Sequence, residues 1–235
     1  MRRWVDRQLD RLGGFVLPPH CVLCGGRGQP PCLDLCRGCE ASLPAATGPV
    51  PCPLGVLRRV YAPFTYATPL DHLVQSLKYR GHLATGRVLG TLLADRLATL
   101  GLHRDVDVIV PVPLHPARLA LRSFNQSAEI ARHVSCRLGR PLDERLARRC
   151  RATPPQVGLH FDQRQRNLAG AFVAAGLAGR RVALVDDVTT TGSTLRELAG
   201  ALCAAGATDV DAWCVAFAQR KEIVATDVPR VTESR

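Results

Sequence analysis

The most informative segment of the chain is Arg181-Val-Ala-Leu-Val-Asp-Asp-Val-Thr-Thr-Thr-Gly-Ser-Thr194. Residues 182–185 form an unbroken apolar run, which is typical of a strand buried on both faces of a parallel sheet. The run stops at Asp186 and Asp187, and a turn rich in hydroxyl groups follows. Apolar residues at helical spacing come next, at Leu195, Leu198, Ala199, Leu202 and Ala205. The segment therefore predicts a strand, an acidic pair, a turn and a helix in direct succession, which indicates an α/β fold.

The turn has the composition of a phosphate-binding site. Backbone N–H groups are free at the start of a helix, and Thr and Ser hydroxyls help them to hold a phosphate that Gly192 lets approach closely. The predicted phosphate cradle is Thr190 to Thr194. Asp186 and Asp187 cannot bind that phosphate, but carboxylates accept hydrogen bonds from vicinal hydroxyls or lie near a divalent cation. The predicted ligand therefore carries a phosphate close to a diol, as ribose 5-phosphate does.

Residues 182–194 resemble the 5-phosphoribosyl 1-pyrophosphate (PRPP) motif of type I phosphoribosyltransferases. That pattern has four apolar residues, two acids, two variable positions and Thr-Thr/Ser-Gly-x-Thr, and each position is matched. A P-loop lysine and a Gly-x-Gly-x-x-Gly are both absent from this segment, so neither of those motifs competes. The resemblance implies a type I phosphoribosyltransferase-like parallel sheet, with catalytic Asp186 and Asp187 at the ribose hydroxyls. It implies PRPP binding by Asp186, Asp187, Thr189, Thr190, Thr191, Gly192, Ser193 and Thr194.

Length and composition set the organisation of the chain. With 235 residues, 46% of them hydrophobic, it can bury one α/β domain of ordinary size and a small appendage. The longest apolar stretch, 168–179, is interrupted by glycine and is shorter than a bilayer-spanning helix. Residues 15–17 are too few for a signal-peptide core. We expect a cytoplasmic protein without membrane insertion. The predicted units are an N-terminal module and linker at 1–53, an α/β domain at 54–220 and a polar tail at 221–235.

Six of the ten cysteines lie in the first 52 residues. Cys21-x-x-Cys24 and Cys36-x-x-Cys39 are separated by eleven residues, a spacing typical of structural zinc. Four thiolates around Zn²⁺ would fold a segment too rich in glycine and proline to bury its own core. A disulfide, which a reducing compartment disfavours, and unligated thiols are the alternatives, and Cys32 and His20 are further candidate ligands. Small core residues are predicted at Cys136, Cys150, Cys203 and Cys214.

Hydrophobic periodicity predicts the other elements. We expect strands at 60–66, 106–112 and 210–217, and helices at 70–77, 88–100 and 128–138. The first of these helices ends at Lys78-Tyr-Arg-Gly81. Only two of the 31 basic residues are lysines, so Lys78 stands out. A cation that favours a helix C-terminus and a ligand contact explain it equally well.

The block from Pro111 to Phe172 resembles the competence-associated ComF family of phosphoribosyltransferase-like proteins. The matching pieces are Val-Pro-Val-Pro-Leu-His at 110–115, Arg-x-Phe-Asn-Gln at 122–126, Gln156, and Arg-Asn-x-x-Gly-Ala-Phe at 166–172. With the cysteine pairs, Lys78 and the PRPP motif, the resemblance covers nearly the full chain. Ser123 stands where the family usually has glycine, and serine costs stability if that position needs a positive φ.

The ComF resemblance implies a reaction and its ligands. Pyrophosphate would leave C1 of PRPP as a nitrogenous base attacks, with catalysis mostly by charge stabilisation. Mg²⁺ would arrive bridging ligand oxygens. The pyrophosphate candidates are Lys78, Arg118, Arg122 and Arg166.

Charge is unevenly distributed along the chain. Residues 111–170 contain eleven arginines against four acidic residues, and the formal net charge of the chain is +11. A polyanionic partner, either pyrophosphate or nucleic acid, would explain this distribution. A general bias toward arginine explains it equally well, because Arg145, Arg148, Arg149 and Arg151 can simply form a solvated face.

A second hypothesis is therefore kept: a non-catalytic module that senses PRPP or handles single-stranded DNA in natural transformation, the process with which ComF proteins are associated. Enzymes and sensors share the PRPP motif. An acceptor-base site would separate them, and we identify none in the sequence.

Overall fold

A five-stranded parallel sheet with helices on both faces forms the centre of the computed structural model, which describes residues 19–29, 34–48, 50, 55–151 and 170–219. In chain order the strands are β1 Arg59–Tyr61, β2 Phe64–Thr65, β3 Val108–Pro111, β4 Ala147–Arg149, β5 Phe172–Ala174, β6 Arg181–Thr189 and β7 Asp209–Phe217. The helices are α1 Arg37–Ala41, α2 Leu70–Arg80, α3 Leu83–Thr99, α4 Pro116–Arg122, α5 Gln126–Leu138 and α6 Ser193–Ala204.

The sheet has the order β1, β7, β6, β3, and β2 also pairs with β7. All of these pairings are parallel. The two remaining strands, β4 and β5, pair with each other in antiparallel orientation. The carboxyl ends of the parallel strands lie along one edge, and the segments that follow β3 and β6 meet there.

Strand β6 is buried because each of its faces packs into a separate apolar core. Ala183 and Val185 belong to one core together with residues of α2, α3 and α5. Val182 and Leu184 belong to the other, which includes apolar residues of α6. Successive residues of a strand point to opposite faces, so a continuous apolar run is what two covered faces require.

A buried carboxylate also joins the start of the first strand to the last strand through two ion pairs. Asp211 of β7 is fully buried, and its Oδ2 lies 2.8 Å from Nη2 of both Arg58 and Arg59. Arg59 lies directly opposite Asp211 in the β1–β7 register. Paired in this way, the carboxylate does not leave an uncompensated charge in the core.

Helix α5 packs closely against α3. A Cβ at Gly90 would lie 2.6 Å from the Cβ of His133 and 2.7 Å from the carbonyl oxygen of Ile130, so glycine is needed at this approach. Asn125 begins α5: its side chain accepts from the backbone N–H of Ser127 and donates to the carbonyl of Val112, both at 3.0 Å. The start of α5 is thereby fixed beside the end of β3.

The N-terminal module shares a core with the sheet. Cys21, Leu35 and Leu43 are buried in the same core as α2 and α3. Asp34 forms an ion pair with Arg87 of α3. The predicted boundaries at residues 53 and 220 stay a prediction, because residues 51–54 and 220–235 lie outside the described chain.

The predicted fold class, an α/β parallel sheet of the phosphoribosyltransferase type with a small N-terminal cysteine module, is confirmed at the level of sheet, helices and module. Two details were wrong. The strand does not stop at Val185, because its register with β7 continues to the pair Thr189 and Phe217 and carries both aspartates inside β6. The segment after β3 holds a short helix, α4, that periodicity did not indicate.

The prediction for the later cysteines was wrong in part. Cys214 is buried and Cys203 half-buried, but Cys136 and Cys150 are exposed, since helical or strand spacing alone does not fix which face a residue takes. Among the helices that the structure describes, none combines the length and the apolar character needed to cross a bilayer.

Candidate functional site

The two aspartates near the end of β6 have different partners. The buried Asp187 forms an ion pair in which its Oδ2 lies 2.8 Å from Nζ of Lys78, at the end of α2. The half-buried Asp186 accepts a hydrogen bond at 2.7 Å from the hydroxyl of Ser127, in the first turn of α5. Lys78, in the last turn of α2, therefore contacts Asp187 of the acidic pair. Three separate elements, α2, α5 and β6, converge on the two carboxylates.

Burial and neighbouring charges shift the pKa values of Asp186 and Lys78. Burial raises the pKa of Asp186, the charge of Asp187 raises it further, and the result is about 7 in spite of Ser127 and Lys78. Burial lowers the pKa of Lys78, but the charge of Asp187, its hydrogen bond and the charge of Asp186 together outweigh burial, and the net direction is upward. Lys78 is thus a cation, and Asp186 exchanges a proton near neutral pH.

The predicted phosphate cradle connects β6 to α6. Thr189 is the last residue of the strand, Thr190 is exposed in the turn, and Gly192 has φ 68°, a left-handed conformation that favours glycine. The hydroxyls of Thr191 and Ser193 lie 2.8 Å apart. Thr194 is in the first turn of α6, so the backbone N–H groups that begin this twelve-residue helix face the turn.

The predicted pyrophosphate arginines lie on the new helix α4. Arg118 is in its first turn, and Arg122 ends it and donates to Gln126 Oε1 at 3.3 Å. The guanidinium carbon of Arg122 lies 5.5 Å from the centre of the Tyr79 ring. Arg166 lies outside the described residues, as do Gln156 and Cys32.

Arg149 is a further site candidate, from the arginine cluster for which the sequence left a solvated face and a polyanion-binding face equally open. It is half-buried in β4, and its guanidinium carbon lies 5.4 Å from the centre of the Phe172 ring. Burial lowers the pKa of Arg149, the charge of Arg118 lowers it further, and that of Asp186 acts in the opposite direction, so all three groups share one electrostatic environment. Strand alternation was the missed signal: Ala147 is buried and Arg148 exposed, which places Arg149 inward again.

The acidic pair does not form a metal cage made by protein alone. In the described parts of the chain, the group of three or more Cys, His, Asp or Glu side chains close enough to share a metal ion is the cysteine cluster. Asp186 and Asp187 have hydrogen-bond and ion-pair partners within the protein. This donor set fits Mg²⁺ only as an ion carried largely by ligand oxygens.

The N-terminal cysteines do form a metal-sized cluster. The sulfur atoms of Cys21, Cys24, Cys36 and Cys39 all lie within 4.8 Å of one another, and those of Cys24 and Cys36 are 3.7 Å apart. His20 is not part of the group. These four residues can hold a metal ion such as zinc.

The thiols of the cluster titrate very differently. Burial raises the pKa of Cys21, but backbone N–H groups of Cys24, Cys36 and Leu23 outweigh it and lower the value to about 6. The hydrogen bond with Cys36 raises the pKa of Cys39 to about 12, with burial and the charge of Cys21 in the same direction. The thiol of Cys21 therefore ionises readily, whereas that of Cys39 resists ionisation. This difference is expected of four close sulfur atoms until a bound cation balances their negative charge.

No family model matches the chain. Two solved structures show a limited likeness. Purine phosphoribosyltransferase from Pyrococcus horikoshii is 21% identical with a TM-score of 0.35, covering 55% of this chain and 70% of that chain. Glutamine PRPP amidotransferase from B. subtilis is 22% identical with a TM-score of 0.38, covering 55% of this chain and 26% of that chain. Both TM-scores are too low to match site residues one by one.

Curated proteins give a much stronger match. DNA utilization protein YhgH of Escherichia coli (strain K12) is 36% identical over 222 residues, which span 90% of this chain and 95% of that protein. Competence protein F of Haemophilus influenzae is 36% identical over 163 residues, which span 65% of this chain and 70% of that protein. The ComF resemblance seen in the sequence is thereby confirmed, and the chain belongs to the family of DNA utilization protein YhgH and competence protein F.

Proposed function

We propose that the chain binds PRPP and transfers its phosphoribosyl group to a nitrogenous base with release of pyrophosphate. One observation carries the proposal: the paired aspartates of β6, with Lys78 as counter-charge, lie near the end of the strand, two residues before the turn that begins α6. This places acceptors for a diol beside donors for a phosphate.

Each group has a role in this proposal. Asp186 and Asp187 accept hydrogen bonds from the ribose hydroxyls, and the turn from Thr190 to Thr194 holds the 5-phosphate. Lys78, Arg118, Arg122 and Arg149 face the pyrophosphate, with Arg166 added by family resemblance. Arg118 and Arg149 affect each other as like charges in the same region. A bound pyrophosphate would relieve that repulsion.

In the transfer step a ring nitrogen of the base forms a bond to C1 as the bond from C1 to the pyrophosphate oxygen breaks. Pyrophosphate leaves with the bonding electron pair, and the proton of the attacking nitrogen passes to solvent. The arginines stabilise the negative charge that grows on the leaving group, and the aspartates stabilise the positive charge that grows on the ribosyl centre. When bound, Mg²⁺ supplies further neutralisation of the pyrophosphate.

A thermal-shift measurement tests whether the chain binds PRPP. PRPP with Mg²⁺ at about 100 times its Kd would stabilise the protein by about 2.7 kcal/mol, a readily measured rise in Tm. Asp187→Asn combined with Thr191→Ala should abolish the rise. Asp209→Asn, at the amino end of β7, is the matched control and should retain it. Absence of a shift in the wild-type protein contradicts the site assignment.

Turnover is tested by pyrophosphate release with PRPP and a panel of nucleobases. Release that depends on one base identifies both the activity and its acceptor. A PRPP-induced Tm shift without release for any base would favour the PRPP-sensing alternative.

We also propose that the cysteine cluster holds one structural Zn²⁺. Four sulfur ligands in a closed arrangement are typical of structural zinc sites, and the cluster lies on the core shared with α2 and α3. Elemental analysis of protein purified under reducing conditions should find one zinc per chain.

Handling of single-stranded DNA during natural transformation is a second candidate function. The names of the relatives, DNA utilization protein and competence protein F, favour it. Arg145 and Arg148 are exposed at β4, where they can contact a phosphate backbone. Each phosphate contact on a single strand contributes about 0.7 to the slope of log affinity against log salt.

The salt dependence of DNA binding tests this candidate. Arg145→Ala with Arg148→Ala removes two phosphate contacts, so it should lower the slope by about 1.4 for single-stranded DNA and leave the PRPP-induced Tm shift unchanged. Arg149 is excluded from the pair because it belongs to the PRPP site. Arg180→Ala, at the amino end of β6, is the control. An unchanged slope in the double variant would show that the two arginines do not contact DNA and only form part of the solvated surface.

A further inference from the structure

Tyr79 is unusual among the aromatic side chains of this protein. Tyr79 is 74% exposed, whereas the other Phe, Tyr and Trp residues that the structure describes are buried or half-buried. Aromatic rings contribute most when they are covered, and a single ring kept open at a site is a stacking surface for a planar ligand.

The position of Tyr79 links it to the candidate site. It directly follows Lys78, whose Nζ contacts Asp187. Arg122 places its guanidinium 5.5 Å from the ring centre and also donates to Gln126, so the ring is held by a proposed pyrophosphate ligand. The end of α2 therefore lies against the junction of α4 and α5.

Tyr79 also lines a groove of about 480 Å³ between α2 and the cysteine module. Val22 and Leu23, which stand between two of the cysteines, form one wall. The other lining residues lie on α2 and are His72, Leu73, Gln75, Ser76 and Arg80. A volume of this size accommodates a small planar molecule, and amide and hydroxyl groups next to apolar walls suit the polar edge of an uncharged heterocycle.

We propose that Tyr79 is the stacking platform for the acceptor, and that the acceptor is a free purine or pyrimidine base. The inference rests on the proposed phosphoribosyl transfer and names the substrate class for the same site. The base lies on the open face of the Tyr79 ring, and its edge is bonded by the polar side chains of α2. Acceptor binding is the feature that an enzyme needs and a PRPP sensor does not.

Equilibrium dialysis provides the test. Adenine, guanine, hypoxanthine and uracil are offered to the full chain in the presence of ribose 5-phosphate, pyrophosphate and Mg²⁺, which fill the PRPP site without allowing transfer. At least one base should bind. Tyr79→Ala should weaken that binding about tenfold, the loss expected for one base–aromatic stack. Tyr79→Phe keeps the ring and should stay within about twofold of wild type.

A matched control and a second readout keep the outcomes distinct. Leu121→Ala removes an equally open apolar side chain, 86% exposed, on the neighbouring α4 and should leave base binding unchanged. The PRPP-induced Tm shift should be the same in Tyr79→Phe and Leu121→Ala, which both keep the aromatic ring beside Arg122. Unchanged base binding in Tyr79→Ala overturns the proposal, as does binding of single-stranded DNA but of no free base. In either case an intact PRPP shift would leave the binding half of the proposed function standing.

Discussion

Two regions of the molecule bring ionisable groups of one kind close together. In the cysteine module, four sulfur atoms lie within 4.8 Å of one another. At the end of β6, two aspartates are adjacent, but Lys78 and Ser127 contact them from other elements of the chain. The first region contains no counter-charge among the four sulfur atoms, and we propose that a bound cation supplies it, whereas the second already contains Lys78. A small cysteine-rich module is therefore a candidate for stabilisation by a metal, whereas the sheet arranges charges of both signs from distant parts of the chain.

The largest effect is expected from removing the metal. Cys39→Ser should abolish zinc binding and lower Tm by on the order of 10 °C, because the module shares its core with α2 and α3. Cys136→Ser, an exposed cysteine on α5, should change neither the zinc content nor Tm. If the metal-free protein melts at the same temperature as the wild type, the cysteine module is not stabilised by a bound metal.

Removal of Lys78 tests whether the acidic pair of β6 relies on a counter-charge from within the chain. Lys78→Met leaves the carboxylate of the buried Asp187 without its counter-charge and should cost about 3 kcal/mol in urea unfolding. Lys78→Met combined with Asp187→Asn removes both charges and should recover at least half of that loss. A single variant as stable as wild type would mean that the site does not rely on an internal counter-charge.

The pH dependence of stability sharpens the contrast between the two aspartates. The folded-state pKa of Asp186 is about 7, above its usual value of 3.8, so its protonated form favours the folded state below about pH 4 and this contribution is lost as pH rises through 7. Each pKa unit corresponds to about 1.4 kcal/mol of unfolding free energy, and solvent screening reduces this figure at the half-buried Asp186.

Asp186→Asn should therefore gain stability relative to wild type between pH 5 and pH 8, measured as the difference in Tm at each pH. A Tm difference that stays constant over this range would show that Asp186 is already ionised at pH 5.

The smallest effect concerns backbone strain beside the site. Ser123 has φ 64°, a left-handed conformation in which serine is strained, and it is the one residue other than glycine with a positive φ in the described chain. Ser123→Gly should stabilise the protein by about 0.5 to 1 kcal/mol in urea unfolding. Ala120→Gly, in the interior of α4, should destabilise it by a similar amount. A loss of stability in Ser123→Gly would show that the serine side chain holds the loop.

Local sequence rules were sufficient for the main elements. The apolar run before Asp186, the hydroxyl turn and the helix after it were all found, because each depends on neighbours in the chain. The pairing of strands could not be predicted from local sequence. Continuation of β6 to Thr189 follows from its register with β7, which only the assembled sheet defines.

The site itself was predictable in part. The motif indicated Asp186 and Asp187, but the contacts of Asp186 with Ser127 and of Asp187 with Lys78 join residues 59 and 109 positions apart in the sequence. For Arg149 the sequence left a solvated face and a polyanion-binding face equally open, because Arg145, Arg148 and Arg151 lie close by, and only the alternation of β4 separates it from them. Four cysteines with zinc-like spacing were easier, since the spacing alone brings them together.

The pairing of β1 with β7 has a consequence during protein synthesis. Arg58 and Asp211 are 153 residues apart, so the first strand waits for the last before it can join the sheet. At ribosomal rates of about 5 to 20 residues per second, that delay is roughly 8 to 30 s. The cysteine module emerges earlier, and all four of the sulfur atoms that would hold the proposed metal come from residues 21–39. We expect pulse-labelled, ribosome-bound chains to acquire resistance to thiol alkylation at Cys21 and Cys24 well before Trp213 is synthesised.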